Sequence, residues 1–321
     1  MKKIISSLSI IIPVYNEEGN LLLLHKNLMA VLISLDYDYE IIYVDDGSND
    51  NSFSILEQIA QQNAKAKVIK FTRNHGQTSA IAAGINYSVG DAVIFMDADL
   101  QNDPTDIPML LAKLNEGYDV VSGWRKDRQD TWLTRTLPSK LANWLISNIT
   151  KVHLHDYGCT LKVYRNEVLK GYKLYGEMHR FLPAYAVHVG ASIVEVPVKH
   201  HPRKFGKSKY GLERTVKVLL DLFTVKFLNS YSQNPIYLFG SVGIILILGG
   251  ILLVSVLVLE KFLYGHSLTG NPLLLMSVML TILGVQSIFL GLIGELLVRT
   301  YHESQDKLTY HINQLLNIKE D

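Results

Sequence analysis

The sequence predicts an α/β catalytic domain with a mostly parallel sheet, followed by an interfacial helix and two membrane-spanning helices. Three observations predict it. Short apolar runs alternate with helical patterns from Leu8 onward, as in successive βαβ units. One of these runs, Val93-Ile94-Phe95-Met96, leads directly into Asp97 and Asp99, and open α/β sheets place their ligands at such strand ends. Two long runs, Pro235 to Leu259 and Pro272 to Gly294, carry no charge, and each is long enough to cross a bilayer.

Composition narrows the class. A chain of 321 residues leaves room for a catalytic domain and something more. A formal charge of +1 argues against a general nucleic-acid binder. The single cysteine, Cys159, excludes an intramolecular disulfide and a zinc cluster; it reads as a small buried hydrophobe. Met1 to Ile12 has two lysines and an apolar run, but the run breaks at Pro13 without a small-residue cleavage pattern. It reads as the first strand of a cytosolic domain.

Leu8 to Val14 is that strand, with Pro13 expected to end its ladder because proline has no amide hydrogen. Asn16-Glu17-Glu18 opens a helix with Leu21, Leu24, Leu28 and Val31 as its apolar positions. Glu40 to Val44 is the second strand. It ends in Asp45-Asp46-Gly47-Ser48, a turn that leads to a helix through Ile55, Ile59 and Ala60. Lys67 to Phe71 is the third strand. Arg73-Asn74-His75-Gly76-Gln77 and a small-residue helix from Thr78 to Tyr87 follow, and then the strand that reaches Asp97.

On a continuing strand Asp97 and Asp99 face the same side. Two adjacent carboxylates repel unless a cation or proton lies between them. Hard oxygen ligands suit Mg²⁺ or Mn²⁺, which commonly share their shell with a substrate phosphate. A solvated turn is the plainer alternative. No G-x-G-x-x-G follows any strand, so a nucleotide here would be held by carboxylates, a metal, and ribose and base contacts.

Ile11-Ile12-Pro13-Val14-Tyr15-Asn16-Glu17, Val44-Asp45-Asp46-Gly47-Ser48 and Asp97-Ala98-Asp99-Leu100-Gln101 together resemble the family 2 glycosyltransferases of GT-A fold. The resemblance implies that Pro13, Tyr15, Glu17 and Asp46 contact the donor nucleotide. It implies that Asp97, Asp99 and Gln101 contact its diphosphate and a divalent metal.

Beyond Gln101, Val120 to Arg125 reads as a further strand ending in a cation. Trp132 to Ile149 carries a helix-like apolar stripe with Arg128, Arg135, Ser139 and Lys140 near it. An arginine fork suits phosphate oxygens, so Arg125 and Arg135, with Ser139, are expected at an acceptor phosphate. A solvated basic face accounts equally well for Arg128 and Lys140. Asp156-Tyr157-Gly158-Cys159-Thr160-Leu161-Lys162 is similar to the family segment that supplies an acidic residue near the acceptor. Asp156, Asp99 and Arg125 are thereby the expected catalytic residues, with Asp156 either a base or an orienting group. His153 and His155 read as structural, and Met178 to Leu182 resembles a segment lying over the active site. Glu195 to Val198 closes the domain as a strand.

His201 to Tyr210 is basic and looks like the phosphate-grasping segment of polyprenyl-phosphate glycosyltransferases, which puts Arg203, Lys207 and Lys209 at the acceptor phosphate. Leu212 to Tyr231 is amphipathic, suited to a membrane interface or to packing on the sheet. The expected organisation is a catalytic domain at 1–211, an interfacial helix at 212–232, two spans within 233–298 (about 235–259 and 272–297), and a C-terminal helix at 299–321. Basic residues flank the pair of spans, which places both termini in the cytosol; the resemblance implies a bacterial inner membrane. Gly243, Gly249, Gly250, Gly284 and Gly291 are positions for close packing within the pair or between subunits, and Gln286 is a candidate interhelical donor.

The expected activity is transfer of one hexose, from UDP-glucose by preference, to a polyprenyl phosphate such as undecaprenyl phosphate, with inversion. Two rivals are a processive polysaccharide synthase and a non-catalytic membrane scaffold. The first would carry a Gln-x-x-Arg-Trp motif and more spans, and neither is found; the second is disfavoured by intact Asp46, Asp97, Asp99 and Arg135.

Overall fold

The computed structural model describes residues 4–126, 146, 147, 150, 152–170, 174, 178–202, 235–265, 268, 271–304 and 310–318. The expected acceptor residues Arg135, Ser139, Arg203, Lys207 and Lys209 lie outside the described residues, as does the amphipathic segment at 212–232. The chain divides into two compact units, Met1–Leu222 with Leu308–Asp321, and Phe223–Lys307.

The first unit is built on β1 (Ser7–Val14), β2 (Asp38–Asp45), β3 (Ala66–Phe71), β4 (Ala92–Phe95), β5 (Val120–Trp124), β6 (Lys162–Arg165), β7 (Ile193–Pro197) and β8 (Ile312–Leu316). These form an eight-stranded sheet in the order β7-β5-β6-β4-β1-β2-β3-β8. The pairs β1–β2, β1–β4, β2–β3 and β5–β7 are parallel. The pairs β4–β6, β5–β6 and β3–β8 are antiparallel. Between the strands run α1 (Leu21–Leu32), α2 (Ser52–Gln62), α3 (Gln77–Asn86), α4 (Ile107–Asn115), α5 (Asn166–Leu169) and α6 (Leu182–His188).

The central strands are apolar on both faces because helices cover both faces. Ile10, Ile11, Ile12, Ile41, Ile42, Val44, Val93 and Ile94 are all fully buried. Leu21, Leu24, Leu28 and Leu32 form the buried stripe of α1, each contributing roughly 1.5–3 kcal/mol of burial. Pro13 does not end the pairing with β2, which continues to Val14↔Asp45. The next bond on the β4 side runs from the Met96 N–H to the Ile11 carbonyl. The position of Pro13's missing N–H therefore faces β4, where the strands have already diverged.

Two strands escape the sequence reading. β6 inserts antiparallel between β4 and β5. The C-terminal helix expected at 299–321 is corrected in part: residues 299–304 belong to the helix Pro272–Ser304, and Ile312–Leu316 is a strand on the edge of β3. That edge offers unpaired backbone groups, and pairing there satisfies more of them than an isolated surface turn of helix would.

The second unit holds α7 (Pro235–Tyr264) and α8 (Pro272–Ser304). Leu238–Tyr264 and Pro272–Gly294 contain 18-residue stretches with mean hydropathies of 3.1 and 2.3, and both are candidate membrane spans. The helices meet at glycines: a Cβ on Gly243 would stand 2.6 Å from the Gly284 carbonyl oxygen, and one on Gly250 would stand 2.6 Å from Thr281 Oγ1. Gly249 does not share this contact, since its nearest neighbour would be 4.0 Å away. The Ser287 hydroxyl donates across the pair to the Phe239 carbonyl at 2.8 Å. Gln286, expected in that role, lies one residue around the helix and is exposed.

Candidate active site

The β1–α1 and β2–α2 loops are laced together at the carboxyl ends of their strands. Asn16, in the left-handed region with φ 51°, donates its N–H to Ser48 Oγ at 2.9 Å and accepts from the Asn49 N–H at 2.8 Å. The Glu17 N–H donates to Ser52 Oγ at 2.8 Å, and the Glu17 carboxylate accepts from Asn20 Nδ2 at 2.6 Å. Pro13, Tyr15, Glu17 and Asp46 thus come from adjacent strand ends, as one nucleotide-binding face would require.

Asp46 is nearly fully buried. Its carboxylate accepts the His75 N–H at 2.6 Å and the Gly76 N–H at 2.9 Å. Burial pushes its carboxyl up to about 6, against the lowering effect of those two donors, and neighbouring Asp45 adds to the rise. Gly47 has φ +68°, and a Cβ there would stand 2.4 Å from the Arg73 carbonyl carbon. The Arg73–Gln77 loop therefore lies directly on the Asp46-Gly47 turn, and Gly47 makes that approach possible.

The same loop reaches the second acidic cluster. Gln77 Nε2 donates to Asp97 Oδ1 at 2.8 Å. Asp97 and Asp99 do not continue a strand, because β4 ends at Phe95. They stand on a turn in which Asp99 Oδ1 accepts the Gln101 N–H at 3.1 Å and Leu100 has φ 59°. A branched residue in that region is strained; burial of the Leu100 side chain in the hydrophobic core holds it there. Gln101 pairs with His201 through the His201 N–H to its carbonyl at 2.9 Å.

Two carboxylates and an amide oxygen make a hard oxygen donor set. Among the described residues no three His, Cys, Asp or Glu side chains come together as a metal cage. Asp97, Asp99 and Gln101 stand on one turn and are oxygen donors of the kind that suits Mg²⁺ or Mn²⁺.

The third part of the site is an ion pair. Arg125, just past the end of β5, donates from Nε to Asp156 Oδ2 at 2.7 Å and from Nη2 to Asp156 Oδ1 at 2.9 Å. The two side chains are 15% and 4% exposed. The guanidinium is held charged by this carboxylate in spite of its burial. The Gly158 N–H also donates to Asp156 at 3.1 Å, and the Asp156 N–H donates to Glu195 at 2.9 Å. His155 stacks on Trp124 at 4.4 Å, and its Nδ1 donates to the Glu195 carboxylate at 2.7 Å, consistent with a structural role.

The Asp156–Leu161 loop joins this pair to the acidic turn, since the Thr160 hydroxyl donates to Asp97 Oδ2. Beneath the loop, the buried Lys162 ammonium donates to the Tyr157 and Cys159 carbonyls, and burial lowers its pKa. Cys159 is fully buried, as its composition implied. His179 Nδ1 lies 2.7 Å from Thr78 Oγ1, which ties the Met178–Phe181 turn to the residue after Gln77. Sequence reasoning assigned no role to Gln77, Thr160 or Lys162. Gln77 and Thr160 each sit inside a segment already singled out, so their polar side chains beside strand ends were the available signal.

A mixed sheet with carboxylates at adjacent strand ends and an acidic turn beyond β4 is the arrangement of a GT-A fold. Residues 9–173 match glycosyl transferase family 2, and the chain belongs to that family. It is 40% identical over 314 residues to the dodecaprenyl-phosphate galacturonate synthase of Rhizobium johnstonii, covering 97% of this chain and 93% of that one. Among solved structures it is similar to glucosyl-3-phosphoglycerate synthase from Mycobacterium tuberculosis in complex with Mn²⁺, UDP and phosphoglyceric acid. That match has a TM-score of 0.55 and 17% identity, covering 70% of this chain and 78% of that one. A mycobacterial protein matches with a TM-score of 0.52 and 19% identity over 69% of this chain and 74% of that one. At these identities the structural matches establish the fold.

Proposed function

We propose that this chain is a membrane-anchored enzyme that moves one sugar from a nucleoside diphosphate sugar to a polyprenyl phosphate. One observation carries the reading. The match to the dodecaprenyl-phosphate galacturonate synthase spans 97% of this chain, so it includes the apolar hairpin as well as the sheet.

On this reading Pro13, Tyr15, Glu17 and Asp46 hold the nucleotide, and Asp97, Asp99 and Gln101 hold the diphosphate with a divalent ion. When bound, that ion offsets the charge that develops on the departing diphosphate. An oxygen of the acceptor phosphate attacks the anomeric carbon as the carbon–oxygen bond to the diphosphate breaks. The nucleoside diphosphate leaves with the bonding electron pair, and the anomeric centre inverts. The second pKa of a phosphate monoester is about 6, so the acceptor arrives mostly as a dianion and no proton has to be removed. Asp156 orients Arg125 and compensates its charge, while the remaining guanidinium donors serve the acceptor phosphate. Arg135, Ser139, Arg203, Lys207 and Lys209 complete that acceptor site.

The sequence favoured UDP-glucose as donor. The relative's name instead favours a galacturonate donor, and both are to be assayed. The hairpin anchors the enzyme in a bacterial inner membrane, with the catalytic unit cytosolic.

The test uses purified full-length protein in vesicles with polyprenyl phosphate and either UDP-glucose or UDP-galacturonate. UDP release together with a lipid carrying one added sugar supports the reading. A ladder of products identifies a processive synthase, and no release with any nucleotide sugar identifies a non-catalytic scaffold.

A further inference from the structure

We infer that Tyr310 and His311, at the head of the strand that follows the apolar hairpin, are positioning residues for the donor-nucleotide loop. This inference rests on the nucleotide-sugar reading given above.

The strand itself is firmly seated. β8 pairs with β3 from Val68↔Leu316 to Phe71↔Ile312, with a register shift between Lys70 and Phe71. The Thr72 N–H donates to the His311 carbonyl at 3.1 Å. At the far end Asn317, with φ 57°, donates from Nδ2 to the Ala60 and Ala66 carbonyls at 2.8 and 2.9 Å. Covering a sheet edge accounts for this much.

Edge covering does not account for the head of the strand. Tyr310 is 3% exposed. Its ring stacks on Phe71 with centroids 5.1 Å apart and planes 14° from parallel. Its hydroxyl accepts from Asn86 Nδ2 at 2.8 Å, in the last turn of α3. Phe71 in turn meets His75 edge-on at 5.5 Å, and His311 lies 5.9 Å from the His75 ring. His75 and Gly76 supply the two backbone donors on Asp46, and Gln77 supplies the donor on Asp97. The path from Tyr310 to both donor-side carboxylates is therefore a continuous series of ring contacts and hydrogen bonds. A stacked aromatic pair is favourable beyond its buried area, which biases the placement of the short loop it touches.

Full-length protein in detergent is tested by titration with UDP, by acceptor KM and by thermal melting. Tyr310→Ala and the apolar, non-aromatic Tyr310→Leu are expected to raise the UDP Kd by about three- to tenfold, while the acceptor KM moves less than about twofold. Tyr310→Phe keeps the ring and is expected to restore UDP affinity. Asn317→Ala releases the other end of the same strand; it should lower the melting temperature without weakening UDP. A Tyr310→Leu protein that binds UDP like wild type overturns the inference, as does equal weakening by Asn317→Ala, which would mean that any loosening of the strand suffices. Wild-type protein that binds no nucleoside diphosphate would overturn the donor reading, and this inference with it.

Discussion

Asp156 holds the Arg125 guanidinium through two hydrogen bonds of 2.7 and 2.9 Å. A carboxylate committed in this way is a poor general base, because protonating it would leave a buried arginine uncompensated. Asp156→Asn keeps the shape and removes the charge. It is expected to lower kcat by about 10–100-fold and to destabilise the fold by about 3–5 kcal/mol, as for breaking one side of a buried ion pair. The kcat deficit should stay constant from pH 6 to 8. Recovery of the mutant across that range, in step with acceptor ionisation, would assign Asp156 as the base.

Asp97 joins the Arg73–Gln77 loop to the Asp156–Leu161 loop by accepting from Gln77 and Thr160, which on the proposed reading are the donor and acceptor sides of the site. Asp97→Asn or Asp99→Asn should cost at least about 100-fold in rate, the scale of losing a major electrostatic stabiliser. Thr160→Val removes one neutral donor from Asp97 and should cost about tenfold or less. Chelator should abolish turnover in the wild type, with Mg²⁺ or Mn²⁺ restoring it. Full turnover in chelator would remove the metal assignment.

The parts of the fold legible in the sequence are those where burial and periodicity agree. The run through Ile10, Ile11 and Ile12 is apolar on both faces because helices cover both faces of the sheet. β6 was not legible, because two of its residues, Lys162 and Arg165, are charged and nearly fully buried, a pattern that mimics a loop. β8 was misread because Ile312-Asn313-Gln314-Leu315-Leu316 has no clear period, and its partner β3 is distant in sequence. Asp97 and Asp99 were singled out by their spacing, but the turn they stand on, with Leu100 at φ 59° and the Gln101 N–H donating to Asp99, is not revealed by spacing. The pairing of Arg125 with Asp156 is likewise a long-range contact, anticipated only as an orienting role for the carboxylate.

Asp46 should impose a pH dependence on both stability and donor binding. Its carboxyl is raised from an ordinary value of 3.8 to about 6, chiefly by burial. The folded state therefore binds more protons than the unfolded state between those values, and stability falls as pH rises through that window. Asp46→Asn should flatten this limb of the stability curve measured by denaturant unfolding. UDP's terminal phosphate also ionises between about pH 5 and 7, so affinity should change with pH in both proteins, and the wild type should show an additional rise as the Asp46 carboxylate ionises. An identical pH dependence of UDP affinity in wild type and Asp46→Asn would take Asp46 out of the nucleotide site.

The pairing of β8 with β3 places residues on both sides of the hairpin in one compartment, so the chain between them crosses a membrane an even number of times. Cys159 is fully buried and its thiol is pushed up to about 11 by burial, so it should not react with a membrane-impermeant maleimide. Introduced cysteines then report cleanly. In sealed vesicles with the outer face out, Tyr264→Cys should label at once, whereas Val89→Cys and Asn313→Cys should label together and only after permeabilisation. Opposite accessibility of Val89→Cys and Asn313→Cys would break the β3–β8 pairing; equal accessibility of all three would remove the spans.

The contact between α7 and α8 can be tested by two glycines with opposite surroundings. A Cβ at Gly284 would stand 2.7 Å from the Gly243 carbonyl oxygen and 2.6 Å from Ile247 Cγ1. The backbone oxygen cannot give way without the helices separating, and separation would also stretch the Ser287–Phe239 hydrogen bond of 2.8 Å. Gly284→Ala should therefore destabilise the hairpin by about 1–3 kcal/mol, the usual cost of overpacking. At Gly249 the nearest atom to a Cβ would be Leu280 Cδ1 at 4.0 Å, an ordinary contact distance. Gly249→Ala should be neutral or stabilising, since alanine favours helix over glycine by about 1 kcal/mol. Thermal melting of the full-length protein in one detergent compares the two directly. Equal melting temperatures for the two variants would mean that α7 and α8 do not meet at Gly243 and Gly284.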